Sequence, residues 1–311
     1  MILPINEKPP IKSYLHRAYP LGVMLANNPS SLYWIKSMFL QLYFDPNDTS
    51  YKMDFYPIPL YRYECLDDGH IKGCILNNDN IIRISKQLLN DGYYLLFIVD
   101  EYYIDRTYSF KKKHFEHWLM VHGYDENKLY CISYLSNRHF EKFTIEYSVL
   151  LKSVKYSHGI GVYKLVDNFN FDYDFDLANE LMYDYINSIN TSKKHRIYKR
   201  PNDAIYGRNV YKSMIDDLDS SYDYRYAHVL LEHKENVRYW LQVNGVGVNL
   251  INMYNDVIKQ CRVLEFLYLK QSSDYSANLK DEIVKLIKNI DSDEQHVLNE
   301  CCNQILGKLD D

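Results

Sequence analysis

Apolar residues follow two regimes along this chain. Through residue 166, short continuous runs alternate with stretches of helical spacing; from residue 177, helical spacing continues to the end. In the first regime, residues 14–26 (YLHRAYPLGVMLA) read as a loop entering a short helix. Residues 32–43 place Leu32, Ile35, Phe39, Leu42 and Tyr43 at helical spacing. Residues 54–64 alternate with tyrosines but hold Pro57 and Pro59, which confines them to an edge strand or a loop. Residues 81–89 predict a helix, ended by Asp91 and Gly92. Residues 93–99 (YYLLFIV) form a continuous apolar run of strand length, the pattern of a central strand. A polar loop over 104–113 leads to a second strand at 117–122 (HWLMVH). Residues 123–127 (GYDEN) have the composition of a hairpin turn, and 128–135 pair back. A helix is expected over 143–155 and a last strand over 161–166.

Residues 167–176 (DNFNFDYDFD) mark a change of composition, and we place a domain boundary there as an acidic linker. Helices are then expected over 177–189, 208–218, 225–241, 250–269, 279–290 and 294–309. Asp291, Ser292 and Asp293 read as a cap that splits the last two. Helices of this length on short loops make an antiparallel bundle. The fold class is therefore α+β, with a mixed N-terminal domain over 1–166 and an all-helical domain over 177–311.

Length agrees: 311 residues suit two ordinary domains. Tyrosine is in excess, at 32 residues against 11 glycines, and we assign that to nucleotide bias before function, so isolated tyrosines carry no weight. Net charge is −5, from 36 basic and 41 acidic side chains, so the basic field that feeds non-specific nucleic-acid binding is absent. No apolar run approaches the roughly 18 residues of a membrane span. The N-terminus lacks the basic-then-apolar form of a secretion signal, so a cytoplasmic location is expected, with no membrane partner. The six cysteines (65, 74, 131, 261, 301 and 302) include no C-x-x-C pair, which argues against a zinc ribbon or a dithiol site. His117 and His122 differ by five and face opposite sides of a strand, and the pair His114 and His117 lacks a third ligand at convincing spacing, so no metal and no other cofactor is expected.

Residues 92–134 carry the most specific pattern: Gly92, a strand ending at Asp100-Glu101-Tyr102-Tyr103, His117 opening the next strand, then Gly123-Tyr124-Asp125. This segment resembles papain-like proteins of the bacteriocin-leader peptidase type. More narrowly, it resembles the butirosin-biosynthesis acyltransferase (protein H) family, and the helices from residue 227 onward fit as well. The resemblance implies a papain-like N-terminal domain followed by a helical one. It implies His117 as the base, a cysteine at the start of the first helix as the nucleophile, and an Asp or Asn on the following strand to orient the histidine. Here Arg17 follows His16 where that cysteine belongs, and Ser133 stands at the orienting position.

Those departures leave two functions open. One is an accessory protein of non-ribosomal peptide or polyketide biosynthesis that binds carrier-linked acyl or peptidyl groups without covalent catalysis. The other is an active acyltransferase in which an amine attacks the thioester directly and His117 is the general base. Cys65 or Cys74 swinging into the site, or Ser13 or Tyr14 replacing the thiol, are further routes. The expected substrate-binding residues are Tyr14, Asp100, Glu101, Tyr103 and His114. The alternative for Asp100 and Glu101 is that they only end a strand at the surface. Lys111, Lys112 and Lys113 form either a solvated loop or a landing point for an acidic carrier protein, whose attraction would weaken with salt. The implied partner is an acyl or peptidyl carrier protein or an assembly-line synthetase. The aromatic stretch 51–63 is a candidate lining for an acyl pocket.

Overall fold

A computed structural model describes residues 1–56, 63–194, 204–220, 222–273 and 278–307, with backbone alone over 302–307. In chain order the elements are α1 (Leu15–Asn27), α2 (Ser31–Met38), β1 (Leu42–Phe44), β2 (Met53–Phe55), β3 (Leu66–Ile71), α3 (Ile81–Asn90), β4 (Tyr94–Asp100), β5 (Glu116–Tyr124), β6 (Lys128–Tyr134), β7 (Phe140–Glu146), α4 (Tyr147–Ser153) and β8 (Ile160–Leu165). They continue with α5 (Phe175–Ile186), β9 (Ile205–Tyr206), α6 (Val210–Asp217), α7 (Tyr224–Val243), α8 (Val248–Ser273) and α9 (Lys280–Gly307). The fold is α+β with two antiparallel sheets. Among the described residues, no helix is long and apolar enough to cross a membrane.

The chain forms two compact units. One joins Met1–Ser31 to Arg62–Asn170, and the other joins Leu32–Tyr61 to Phe171–Asp311. The switch at Asn170 and Phe171 falls inside the expected linker. The N-terminal half, however, gives residues 32–61 to the second unit, so a domain running unbroken over 1–166 is not what forms.

The first unit is built on a six-stranded sheet in the order β3-β8-β4-β5-β6-β7. The apolar run of β4 is central because β8 and β5 cover both its edges. Leu95, Phe97 and Val99 alternate onto one face with Leu119 and Val121 of β5, and that face packs against Ile81 and Leu89 of α3 and Leu150 of α4. The β4–β5 register sets Val99 opposite His117 and Asp100 opposite Glu116, which gathers the polar ends of both strands at one place.

The Gly-Tyr-Asp segment has a local structural cause. The β5–β6 register shifts between Val121 and Gly123, and Ile2 bridges to Gly123. A Cβ at Gly123 would lie 2.8 Å from the Met1 carbonyl oxygen, so only glycine admits the N-terminal segment there. The Asp125 carboxylate accepts the amides of Asn127 and Lys128 at 2.8 Å each, closing the hairpin turn.

Two expectations fail in this unit. Residues 143–155 are not one helix: β7 runs to Glu146, paired with β6 from Lys128↔Glu146 to Tyr134↔Phe140, and α4 begins only at Tyr147. The free edge of β6 offers hydrogen bonds that override a helical spacing of Ile145 and Val149. The strand β3 (LDDGHI) has no apolar alternation to announce it. It is an edge strand, and its exposed Asp67, Asp68 and His70 suit an edge that must not pair further.

The second unit holds a three-stranded sheet, β2-β1-β9, beside its helices. An all-helical C-terminal domain is therefore not observed, since Ile205 and Tyr206 pair with Phe44 and Tyr43. For the same reason residues 32–43 are not one helix: α2 stops at Met38 and Leu42 opens β1. The acidic run over 167–176 is less a linker than expected. Phe171 is buried, and the Asp174 carboxylate accepts the Leu177 amide at 3.0 Å as the N-cap of α5.

Residues 291–293 do not split the last helix, and α9 is continuous. Its polar residues find tertiary partners instead of capping. Arg208 pairs with Asp291, Gln260 donates to Asp293 at 2.6 Å, and Glu294 is fully buried among donors.

Candidate functional site

The ends of β4 and β5 carry two histidine–carboxylate pairs. Glu101 Oε1 lies 2.8 Å from His117 Nδ1, and Asp100 Oδ2 lies 2.7 Å from His114 Nδ1. Both carboxylates are buried, whereas the His117 side chain is 32% exposed and that of His114 is 67% exposed. Each ring thus has one nitrogen tied to a carboxylate and presents an exposed edge. In the tautomer that donates Nδ1–H to Glu101, His117 keeps the Nε2 lone pair as a proton acceptor.

The backbone sets these pairs. Asp100 caps the 3-10 turn Glu101–Tyr103 by accepting the Tyr102 amide at 3.1 Å, and its carboxylate also accepts the Phe115 amide at 3.2 Å. The Glu101 amide in turn donates to the Phe115 carbonyl at 2.9 Å. The Thr107 hydroxyl donates to the Glu101 and Ile104 carbonyls at 3.0 and 2.7 Å, tying the loop to the turn. Burial alone would raise the Asp100 carboxyl. Its hydrogen bonds from His114, Tyr102 and Phe115, with the His114 charge, outweigh burial and hold it below the usual carboxylate range.

Around the pairs lie further charges and rings. Lys155 Nζ is 3.6 Å from Asp100 and 3.5 Å from Glu116, and Glu116 is 3.5 Å from His158. Tyr102 stacks on His114 at 4.4 Å, Tyr103 lies 6.1 Å from the same ring, and Phe115 sits 5.4 Å from His117. The ammonium groups of Lys111, Lys112 and Lys113 lie over Phe110, Tyr108 and Phe115, about 5 Å from each ring centroid. The basic run and His114 are therefore exposed parts of one loop, between β4 and β5, that begins and ends at the site.

Of the expected residues, Glu101 contacts His117 itself, Asp100 and Tyr103 meet His114, and Lys113 lies over Phe115, the ring beside His117. Ser133 does not orient His117. Its hydroxyl lies 3.2 Å from that of Tyr19, and Glu101 takes the orienting role. At the expected nucleophile position Arg17 is buried, with Nη1 3.3 Å from the Tyr63 hydroxyl, while exposed His16 stacks on Tyr14 at 5.4 Å. Cys65 is buried with its thiol 3.5 Å from the Met24 sulfur, and burial pushes that thiol up to about 12, away from nucleophilic use. Cys74 is exposed in the 3-10 turn Gly73–Ile75. Under native conditions a maleimide is expected to label Cys74 and to leave Cys65 unmodified until the chain is unfolded. Peptide mass mapping checks this, and rapid native labelling of Cys65 would overturn it.

The aromatic stretch 51–63 falls partly outside the described residues, at 57–62. Phe55 and Tyr56 are core residues of the second unit, against His233 and Tyr206. Of the paired cysteines near the end, Cys301 is buried and the side chain of Cys302 lies outside the described residues. Among the described residues, no group of three His, Cys, Asp or Glu is placed to hold a metal ion.

Sequence reasoning missed the carboxylate that orients His117, although the signal was present. Two acids closing one strand and two histidines three apart entering its antiparallel neighbour must meet. It also missed a polar cluster inside the second unit. Glu294 and Lys234 are wholly buried, 2.8 Å apart, and the hydroxyls of Tyr185, Tyr211 and Tyr254 each donate to Glu294 at 2.7 Å. His233 Nδ1 lies 3.1 Å from the Lys234 ammonium, and its Nε2 is 2.9 Å from the Leu40 carbonyl. Burial, then the Lys234 charge, push His233 down to about 3, so it stays neutral. The available signal was Lys234 lying within the apolar stripe of Leu230, Val237 and Leu241 on α7.

On the same helix, His228 sits between Glu232, at 3.0 Å, and Glu265. Burial opposes its charge, but the two carboxylates win and push it up to about 10. A raised folded value stabilises fully below the ordinary 6.5, and that contribution fades as pH rises through about 10. The melting temperature is therefore expected to fall between these limits, and to fall less in Glu265→Gln. Equal slopes in a pH series of thermal melts would refute the assignment.

No family model matches the chain, and no curated protein matches it.

Proposed function

We propose that the chain is a papain-like accessory protein of non-ribosomal peptide or polyketide assembly, similar to the butirosin-type acyltransferases. On this reading it handles carrier-linked acyl or peptidyl groups at the His117 site without a covalent acyl-enzyme. The single observation that carries the reading is the half-exposed His117 held by buried Glu101 at 2.8 Å. A ring so fixed suits a general base, and burial of Cys65 removes one thiol from competition.

The chemistry needs no protein nucleophile. An amine attacks the thioester carbonyl, His117 Nε2 takes the proton the amine loses, and the C–S bond breaks to release the carrier thiolate. That thiolate recovers a proton from the imidazolium or from water. Lys111, Lys112 and Lys113 would steer an acidic carrier toward the loop, an attraction that weakens as salt rises.

The test mixes purified protein with acyl-loaded carrier and an amine, and follows the carrier by intact mass. Unloading in wild type that is lost in His117→Ala supports the reading. Co-elution of carrier without unloading rejects the base and leaves a binding protein. Neither unloading nor co-elution rejects both.

A further inference from the structure

The second unit carries a surface cleft of about 490 Å³ between α7 and α8, with a polar wall of Arg238, Asn252, Asn255, Asp256, Lys259 and Arg262. Five of these six side chains bear N–H donors. Four α8 residues (Asn252, Asn255, Lys259 and Arg262) recur at steps of three and four, which puts them on one face of the helix. Arg238 comes from α7 to meet them.

One carboxylate positions both guanidinium groups. Glu235 Oε2 is 2.7 Å from Arg238 and its Oε1 is 2.9 Å from Arg262. Arg238 Nη1 also donates to Asn255 Oδ1 at 3.5 Å, and its Nε is buried without a hydrogen-bond partner. Lys259 pairs with Asp256 at 2.7 Å. Three cations thus face two carboxylates, and a guanidinium has five N–H donors, most of which Glu235 leaves unused. A pair of planar forks held in place by a shared carboxylate is built to receive an anion with several oxygens.

We propose that this cleft binds the phosphate group of a small molecule, with Arg238 and Arg262 as the paired donors. Phosphate fits better than a carboxylate because its terminal oxygens accept from both forks at once and its second charge answers the surplus cation. The site is independent of His117 and stands or falls separately from the acyl-group reading.

Isothermal titration of the full chain at low ionic strength tests it, using inorganic phosphate, methyl phosphate and acetate as probes. Saturable binding of at least one phosphate probe is expected, with a Kd of about 1 mM or tighter. Arg262→Gln should weaken it about tenfold or more, because its side chain is 60% exposed and can be replaced without loss of fold. Lys288→Gln, a charge removed outside the cleft wall, should leave it unchanged. Binding of methyl phosphate alone identifies an ester as the source, and binding of inorganic phosphate alone identifies the free ion; both support the site. No saturable heat up to about tenfold above that Kd, acetate binding as tightly as phosphate, or equal weakening by Lys288→Gln would each overturn it.

Discussion

Glu294→Ala is expected to cost about 3–5 kcal/mol of folding stability, read as a lower urea midpoint with an unchanged slope. The substitution strands the Lys234 ammonium, which has no exposed surface, and takes the acceptor from three tyrosine hydroxyls. Domains are typically stable by about 5–15 kcal/mol, so this one side chain carries a large share. Lys234→Met alone is expected to be similarly damaging, since it leaves a buried carboxylate without its cation. The double variant Lys234→Met, Glu294→Leu should lose less than the sum of the two, because no charge is stranded. It should not recover fully, because Tyr185, Tyr211 and Tyr254 remain without their acceptor. Strict additivity would show that the two groups do not act as a pair. The pH dependence has a definite sign. Burial would raise the Glu294 carboxyl, but the Lys234 charge and the hydrogen bonds from Lys234 and Tyr254 hold it down at about 2. Its contribution is therefore complete above the ordinary 4.5 and is lost as pH falls through about 2. Glu294→Gln should lack that acid-dependent component.

On the proposed reading, His117→Ala is expected to slow carrier unloading by about 10²–10⁴-fold, the usual worth of a general base. The KM for the loaded carrier should change little, since Lys111, Lys112 and Lys113 lie on the loop and not on the ring. Glu101→Gln is the more discriminating variant. An amide in place of the carboxylate can donate to Nδ1, which moves the ring proton to Nε2, where a base is needed. The rate should then approach that of His117→Ala although the ring is still present. Glu101→Asp, which keeps the charge on a shorter stem, should retain part of the activity. Circular dichroism of each variant separates a lost base from a lost fold. Full activity in Glu101→Gln would sink the orienting role.

Much of the sheet and many of the helices are legible in the order of residues. The run at 93–99 has to be a buried strand because nothing polar interrupts it, and the turn chemistry of 123–127 dictates the hairpin that follows. The stripes of α7 and α8 likewise announce helices that hide one face. Failures cluster where a neighbouring strand supplies hydrogen bonds that local spacing cannot foresee, as at β7 on the edge of β6 and at β1 beside β9. The cap signal at 291–293 fails for a related reason, because Arg208 and Gln260 take up those carboxylates from other parts of the second unit.

The site divides along the same line. The sequence alone determined that His117 opens a strand, that Asp100 and Glu101 close the one before it, and that a basic loop joins them. Those are properties of consecutive residues, set by apolar runs and turn formers. Only the tertiary structure decided that Glu101 and not Ser133 holds the imidazole, that Cys65 is sealed against Met24, and that Lys234 and Glu294 meet inside the second unit. Periodicity reports which way a side chain faces on its own element. Which partner it meets depends on strand register and helix packing, and those are chosen by the summed burial of residues far apart in the chain.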